Sequence, residues 1–185
     1  MNITVYLGAS RIKDREMLEA LVRLGYWIGE SGHTLVYGGS SSGLMGLLAG
    51  LVIDSGGKVI GVEPESFVAM EYQRDDLDEL IVTKNISERR SKMIELGDAF
   101  IAFPGGTGTL EEISEVISLV SLNELHKPCI IYNYEGFYEG LRDLLNKMIE
   151  KNLCTEEKLY NVCFLDTLED IKNIIDEYNE KRTMD

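Results

Sequence analysis

The stretch AFIAFPGGTGTLEE (residues 99–112) leaves an apolar run through Pro104 and three glycines in four positions, then opens a helix carrying two glutamates. A helix start made of bare backbone amides holds an anion well, and the hydroxyls of Thr107 and Thr109 stand beside those amides. A carboxylate one turn inside would repel that anion, so one glutamate is expected to have a task of its own. At about 100° per residue, Ile113, Val116, Ile117 and Val120 form the stripe that must face a sheet. Glu111 lies nearly opposite, with Glu115 close to it, and Glu111 suits a carboxylate that merely complements the helix dipole. Glu112 flanks the stripe and points along the sheet edge. It is the candidate for chemistry.

A second helix, within NISERRSKMIELGD (residues 85–98), carries the complementary charge. Ile86, Met93, Leu96 and Gly97 mark its inward side, and Arg89 falls on that side. A guanidinium on a half-buried face is costly unless it meets an anion in good geometry. The two candidate anions are a ligand phosphate and Glu112. Arg90 borders Met93 and Ile94 and is a second candidate for contact with substrate.

Two familiar phosphate loops fail. Gly38 and Gly43 fit the glycines of G-x-x-x-x-G-K-[ST], but Leu44 and Met45 stand where the lysine and hydroxyl belong. Gly106 and Gly108 begin a G-x-G-x-x-G, but Glu111 occupies the place of the third glycine and would crowd a pyrophosphate. The loops suit a phosphorylated ligand of another kind.

The elements that must position these residues alternate along the chain. Short apolar runs at 3–8, 34–39, 58–62, 79–83, 99–103 and 128–133 read as strands. Helices are expected near 14–30, 43–55, 136–151 and 167–181, besides the two already described, with Asp14 capping the first. This pattern predicts an α/β fold, a Rossmann-like doubly wound parallel sheet with helices on both faces, as one domain over residues 1–185. Ligands of such sheets sit beyond the carboxyl ends of the strands, where strand order reverses. Three strand ends carry glycine: LGAS (7–10), YGGSSSGLMG (37–46) and PGGTGT (104–109). All three can lie on one edge.

Composition narrows the function. The formal net charge of −14 argues against a general nucleic-acid binder and against an anionic membrane surface. Any bound anion must be drawn by local groups against the field of the whole molecule. Cys129, Cys154 and Cys163 have no C-x-x-C spacing and read as reduced thiols; with only His33 and His126, no metal site is expected. MNITVYLGAS lacks the basic start and long apolar core of a signal peptide, and the longest apolar run, 44–53, is half of a bilayer span. A soluble, cytoplasmic protein is expected.

PGGTGTLEE matches the P-G-G-x-G-T-x-x-E motif, and on it the sequence resembles the Lonely Guy (LOG) family of cytokinin riboside 5′-monophosphate phosphoribohydrolases, many of them labelled "possible lysine decarboxylase". The likeness runs from VYLGAS through LVYGGSSSGLMG, GGKVIGVEP and ERRSKM to HKP, roughly residues 3–155. The family's catalytic arginine and glutamate fall on Arg89 and Glu112. Ile86 and Ser87 stand where the family has Met-His, Arg90 where it has lysine, and serines follow Gly39 where a third glycine is common. LGAS replaces CGSS.

The resemblance implies cleavage of the N-glycosidic bond of a purine nucleoside 5′-monophosphate, of adenine or cytokinin type, to free base and ribose 5-phosphate. The phosphate is expected on Gly105, Gly106, Thr107, Gly108 and Thr109, with Gly8, Ser10 and Gly39 on the opposite wall. A helix N-terminus and a nearby Arg89 are expected to lower the pKa of Glu112. The alternative is a nucleotide-sensing or carrier module that uses the same crevice without chemistry. A decarboxylase would need pyridoxal phosphate on a lysine, and no lysine stands in a recognisable cofactor site, so no cofactor is expected. The helix after the motif is apolar around much of its circumference, and the family implies a homodimer.

Overall fold

The computed structural model describes residues 1–70 and 72–184, with the backbone alone for Met184. Seven strands, β1 (Asn2–Tyr6), β2 (Thr34–Tyr37), β3 (Lys58–Pro64), β4 (Glu79–Thr83), β5 (Ala99–Ala102), β6 (Cys129–Tyr132) and β7 (Val162–Leu165), form one sheet in the order β4-β3-β2-β1-β5-β6-β7. Every pairing is parallel, for example Ile3 opposite Leu35 on one side and opposite Ala99 on the other. The helices are α1 (Arg15–Glu30), α2 (Gly43–Asp54), the short α3 (Glu65–Val68), α4 (Ile86–Leu96), α5 (Thr107–Ser121), α6 (Glu139–Glu150) and α7 (Leu168–Met184).

Alternation along the strands divides the core between two faces. Ile3, Val5, Leu35, Tyr37, Ile101 and Phe103 pack with α1, α2 and α7. Tyr6, Val36, Val62, Phe100 and Ala102 pack on the other face, against Met93 of α4 and Ile113, Val116 and Ile117 of α5. The chain thus builds the sheet outward from β1 in one direction through β4, then returns to place β5 on β1's other side. The reversal of strand order falls between β1 and β5, which makes the ends of those two strands the place for a ligand.

The six expected strands are present, several trimmed. β1 and β2 stop at Tyr6 and Tyr37, before their glycines, because those residues turn out of the sheet to form loops. β3 runs two residues further than expected, through Glu63 to Pro64. β7 is an addition: VCFL, apolar throughout, lies at the sheet edge with all four residues half-buried. Ile86, expected on the inward side of its helix, is exposed, because it is the first residue of α4 beside the edge strand β4. In the tail helix, Ile171 and Ile175 are fully buried against the core.

Candidate active site

β1 and β5 deliver two loops that meet face to face. A Cβ placed on Gly8 would lie 4.0 Å from Gly105 Cα and from the Gly106 nitrogen, so the loops touch through backbone alone. The β1 loop also leans on α2: Gly43 has φ of 58°, and a Cβ there would overlap the Ala9 carbonyl. Tyr138, just before α6, donates its hydroxyl to the Phe103 carbonyl at 2.9 Å and holds the β5 loop from behind.

Above these loops lies a cavity of about 460 Å³. Gly8, Ser10, Arg89, Gly106, Thr107, Gly108, Thr109 and Glu112 line it. At its α5 wall, Gly106 is the N-cap and no side chain caps the helix; the first intrahelical bond runs from the Leu110 N–H to the Gly106 carbonyl. The amides of the first turn therefore lack intrahelical acceptors. Thr109 Oγ1 is buried beside them without a hydrogen-bond partner. Helices α1 and α4, by contrast, have their first turns capped by Asp14 and Asn85.

Glu112 lies one turn further along α5, only 8% exposed. Arg89 reaches it from α4, donating Nη1–H to Glu112 Oε1 at 2.7 Å, and its Nε–H binds the Val62 carbonyl at the end of β3 at 2.9 Å. Three secondary-structure elements thus fix one guanidinium. The expected lowering of the Glu112 pKa is not what results. Burial pushes the carboxyl above its ordinary value of 4.5, and the Arg89 charge and hydrogen bond only oppose that shift.

Three candidates sit elsewhere. Arg90 turns outward, joins Glu115 at 2.7 Å and Glu111 at 2.8 Å on the outer face of α5, and is not among the residues lining the cavity. Arg90→Ala should therefore leave activity within about twofold of wild type and cost no more than about 1 kcal/mol in a denaturant melt, as for other partly exposed pairs. Gly105 lies behind the cavity wall, against Thr109, and lines a neighbouring cavity with Lys13, Asp14 and Phe137. Gly39 has φ of 82° and lies against Glu63, and a Cβ on Gly38 would overlap the Arg89 guanidinium. The YGG turn thus makes room for two side chains as well as shaping the wall.

Glu63, not among the residues expected from sequence, lines the same cavity. It is 0% exposed and neither carboxyl oxygen has a hydrogen-bond partner. The signal was a carboxylate embedded in the apolar run KVIGVEP. Burial raises its pKa above 4.5, opposed only by Arg89. A pKa raised on folding stabilises the protein fully below the unfolded value and loses that contribution as pH climbs to the folded one. Wild type should therefore lose stability relative to Glu63→Gln from about pH 4.5 upward, by at most ~1.4 kcal/mol per pH unit. Denaturant melts of both proteins across pH check this. Leu7, Ala9, Met45, Phe67 and Tyr72 form the apolar part of the lining, and Phe67 and Tyr72 meet edge to face.

Residues 45–175 match a family model described as "Possible lysine decarboxylase". The chain is 35% identical over 176 residues to "Cytokinin riboside 5′-monophosphate phosphoribohydrolase LOG" of Oryza sativa subsp. japonica, covering 95% of this chain and 73% of that one. It is 43% identical over 141 residues to a cytokinin riboside 5′-monophosphate phosphoribohydrolase of Rhodococcoides fascians, covering 76% and 71%. Among solved structures, the molybdenum cofactor binding protein of Rippkaea orientalis superposes with a TM-score of 0.69 at 25% identity, over 95% of both chains. Among the described residues, no helix is long and apolar enough to cross a membrane.

Proposed function

The chain belongs to the Lonely Guy (LOG) family, and from that premise we propose that it hydrolyses the N-glycosidic bond of purine nucleoside 5′-monophosphates, of adenine or cytokinin type, releasing free base and ribose 5-phosphate. The observation that carries the reading is the buried Arg89–Glu112 pair, one turn inside the uncapped start of α5 and facing the same cavity. An anion site and a carboxylate at that spacing suit a sugar phosphate whose anomeric carbon must become cationic.

The 5′-phosphate takes the amides of Gly106 to Thr109 and the Thr109 hydroxyl, with Gly8 and Ser10 across the cavity. Breaking the C1′–N bond leaves an oxocarbenium-like ribose, which an adjacent carboxylate stabilises and a water then traps. Glu112 is that carboxylate, and it takes the proton of the attacking water. Arg89 holds it in place, and its charge and hydrogen bond favour the anion against the cost of burial. Among the described residues no lysine lines the cavity, so the family label of decarboxylase gains no support from the site. We further propose that the protein works in the cytoplasm, and that it does so as a homodimer, because the exposed Leu110 of α5 and Leu122 just beyond its end leave apolar surface uncovered.

A carrier that binds without chemistry is the rival reading, and the molybdenum cofactor binding protein of like fold represents it. Such a protein needs the loops but has no use for a buried Arg89–Glu112 pair. Incubating the protein with a panel of nucleoside 5′-monophosphates and separating the products by chromatography tests the reading. Free purine base with an equal amount of ribose 5-phosphate is expected; tight nucleotide binding with no base released would leave the carrier.

A further inference from the structure

Resting on the hydrolase reading, we infer that Glu63 is a catalytic acid of the same site, the group that protonates the departing base. A Glu112 held as an anion by Arg89 cannot supply that proton, and a purine leaves poorly as an anion.

Glu63 sits on the cavity wall at the end of β3, next to Val62, whose carbonyl accepts the Arg89 Nε–H bond. Neither neighbouring donor bonds it: Arg89 gives Nη1–H to Glu112 and Nε–H to the Val62 carbonyl and makes no bond to Glu63 through Nη2, and the Tyr37 hydroxyl donates to the Gly39 carbonyl at 2.9 Å. A fully buried carboxylate without a donor is strongly disfavoured, and a carboxylic acid in that place is not. Arg89 and Tyr37 are the ionisable groups coupled to it, and of these Arg89 is the one that lowers its pKa. Burial outweighs that effect. One guanidinium thus serves two carboxyls unequally: bonded to Glu112 as an anion, unbonded to Glu63 as an acid. Two carboxyls kept in different protonation states are what divided acid and base work requires.

A Cβ on Gly39 would press on the Glu63 Cβ and carboxyl at 3.1–3.3 Å, so the glycine there keeps a side chain of that turn off the carboxyl. In the reaction the C1′–N bond breaks and its electron pair stays with the base. The Glu63 proton passes to a purine ring nitrogen, water forms the new C1′–O bond, and the proton of that water goes to Glu112. Departure of the base lets solvent return the proton from Glu112 to Glu63, leaving the enzyme unchanged.

The test compares an ordinary purine nucleoside 5′-monophosphate with its N7-methylated counterpart, whose base already carries a positive charge and leaves neutral without a proton. Glu63→Gln should lose roughly a hundredfold or more in kcat on the ordinary substrate and stay within about threefold of wild type on the methylated one. Activity on the methylated substrate also reports that the variant is folded. In wild type, kcat/KM should fall at alkaline pH for the ordinary substrate, and that limb should vanish for the methylated one, a result that needs no variant. Equal losses on both substrates, no loss on either, or an alkaline limb common to both would overturn the assignment. Glu112→Gln should be impaired on both substrates. Wild type releasing base from neither would remove the hydrolase reading itself.

Discussion

Glu112→Gln is expected to fold and bind nucleotide while losing roughly a hundredfold or more in kcat, the scale for deleting one preorganised electrostatic group. The amide oxygen of glutamine still accepts the Arg89 Nη1 bond, so the geometry survives where the charge does not. Because Arg89 and Glu112 are both largely buried, neutralising one leaves the other charge uncompensated, and a stability loss of about 1–3 kcal/mol is expected. Circular dichroism and a thermal melt separate that cost from the catalytic one. The wild-type pH profile should carry the same signature. The working form is the anion and its pKa is raised, so kcat/KM should fall as pH drops through a value above 4.5. Wild-type turnover by the variant would dismiss Glu112 from the mechanism.

The second large effect is the loss of the 5′-phosphate. Nucleosides should be hydrolysed roughly 10²–10⁴ times less efficiently than their monophosphates, since two charge-assisted hydrogen bonds at the start of α5 contribute about 1.5–3 kcal/mol each. Part of the loss should appear in kcat, because binding far from the scissile bond orients the ribose against Glu112. The acidity of the whole protein sharpens this expectation. With a formal net charge of −14, only local donors can attract a phosphate, and the uncapped α5 start with its orphaned Thr109 hydroxyl is where the cavity offers them. Comparable kcat/KM for nucleoside and monophosphate would dismantle the phosphate site.

Much of the frame is legible in the chain because strands covered on both faces must be apolar throughout, as AFIA and CIIY are. VCFL is equally apolar, but it is only four residues long and lies half-buried at the sheet edge. The direction of Glu112 follows from helical geometry alone, since its neighbours Ile113, Val116 and Ile117 leave it one place to go. The same reasoning places Arg89 inward but fails for Ile86, where the helix overhangs the sheet edge. Arg90's partners were not legible: the pairing of α4 with the outer face of α5 depends on how two distant helices lie side by side. Burial was the harder quantity. It reverses the expected pKa shift of Glu112, and it hides Glu63, whose place before Pro64 reads as the exit from a strand rather than as part of a cavity wall.

The most direct measurement is a crystal structure of Glu112→Gln with a nucleoside 5′-monophosphate bound. The account predicts the phosphate on the backbone amides of residues 106–109 and C1′ within van der Waals contact of the side chain at position 112. A phosphate seated in the neighbouring cavity beside Lys13, or a ribose whose C1′ faces away from position 112, would contradict it.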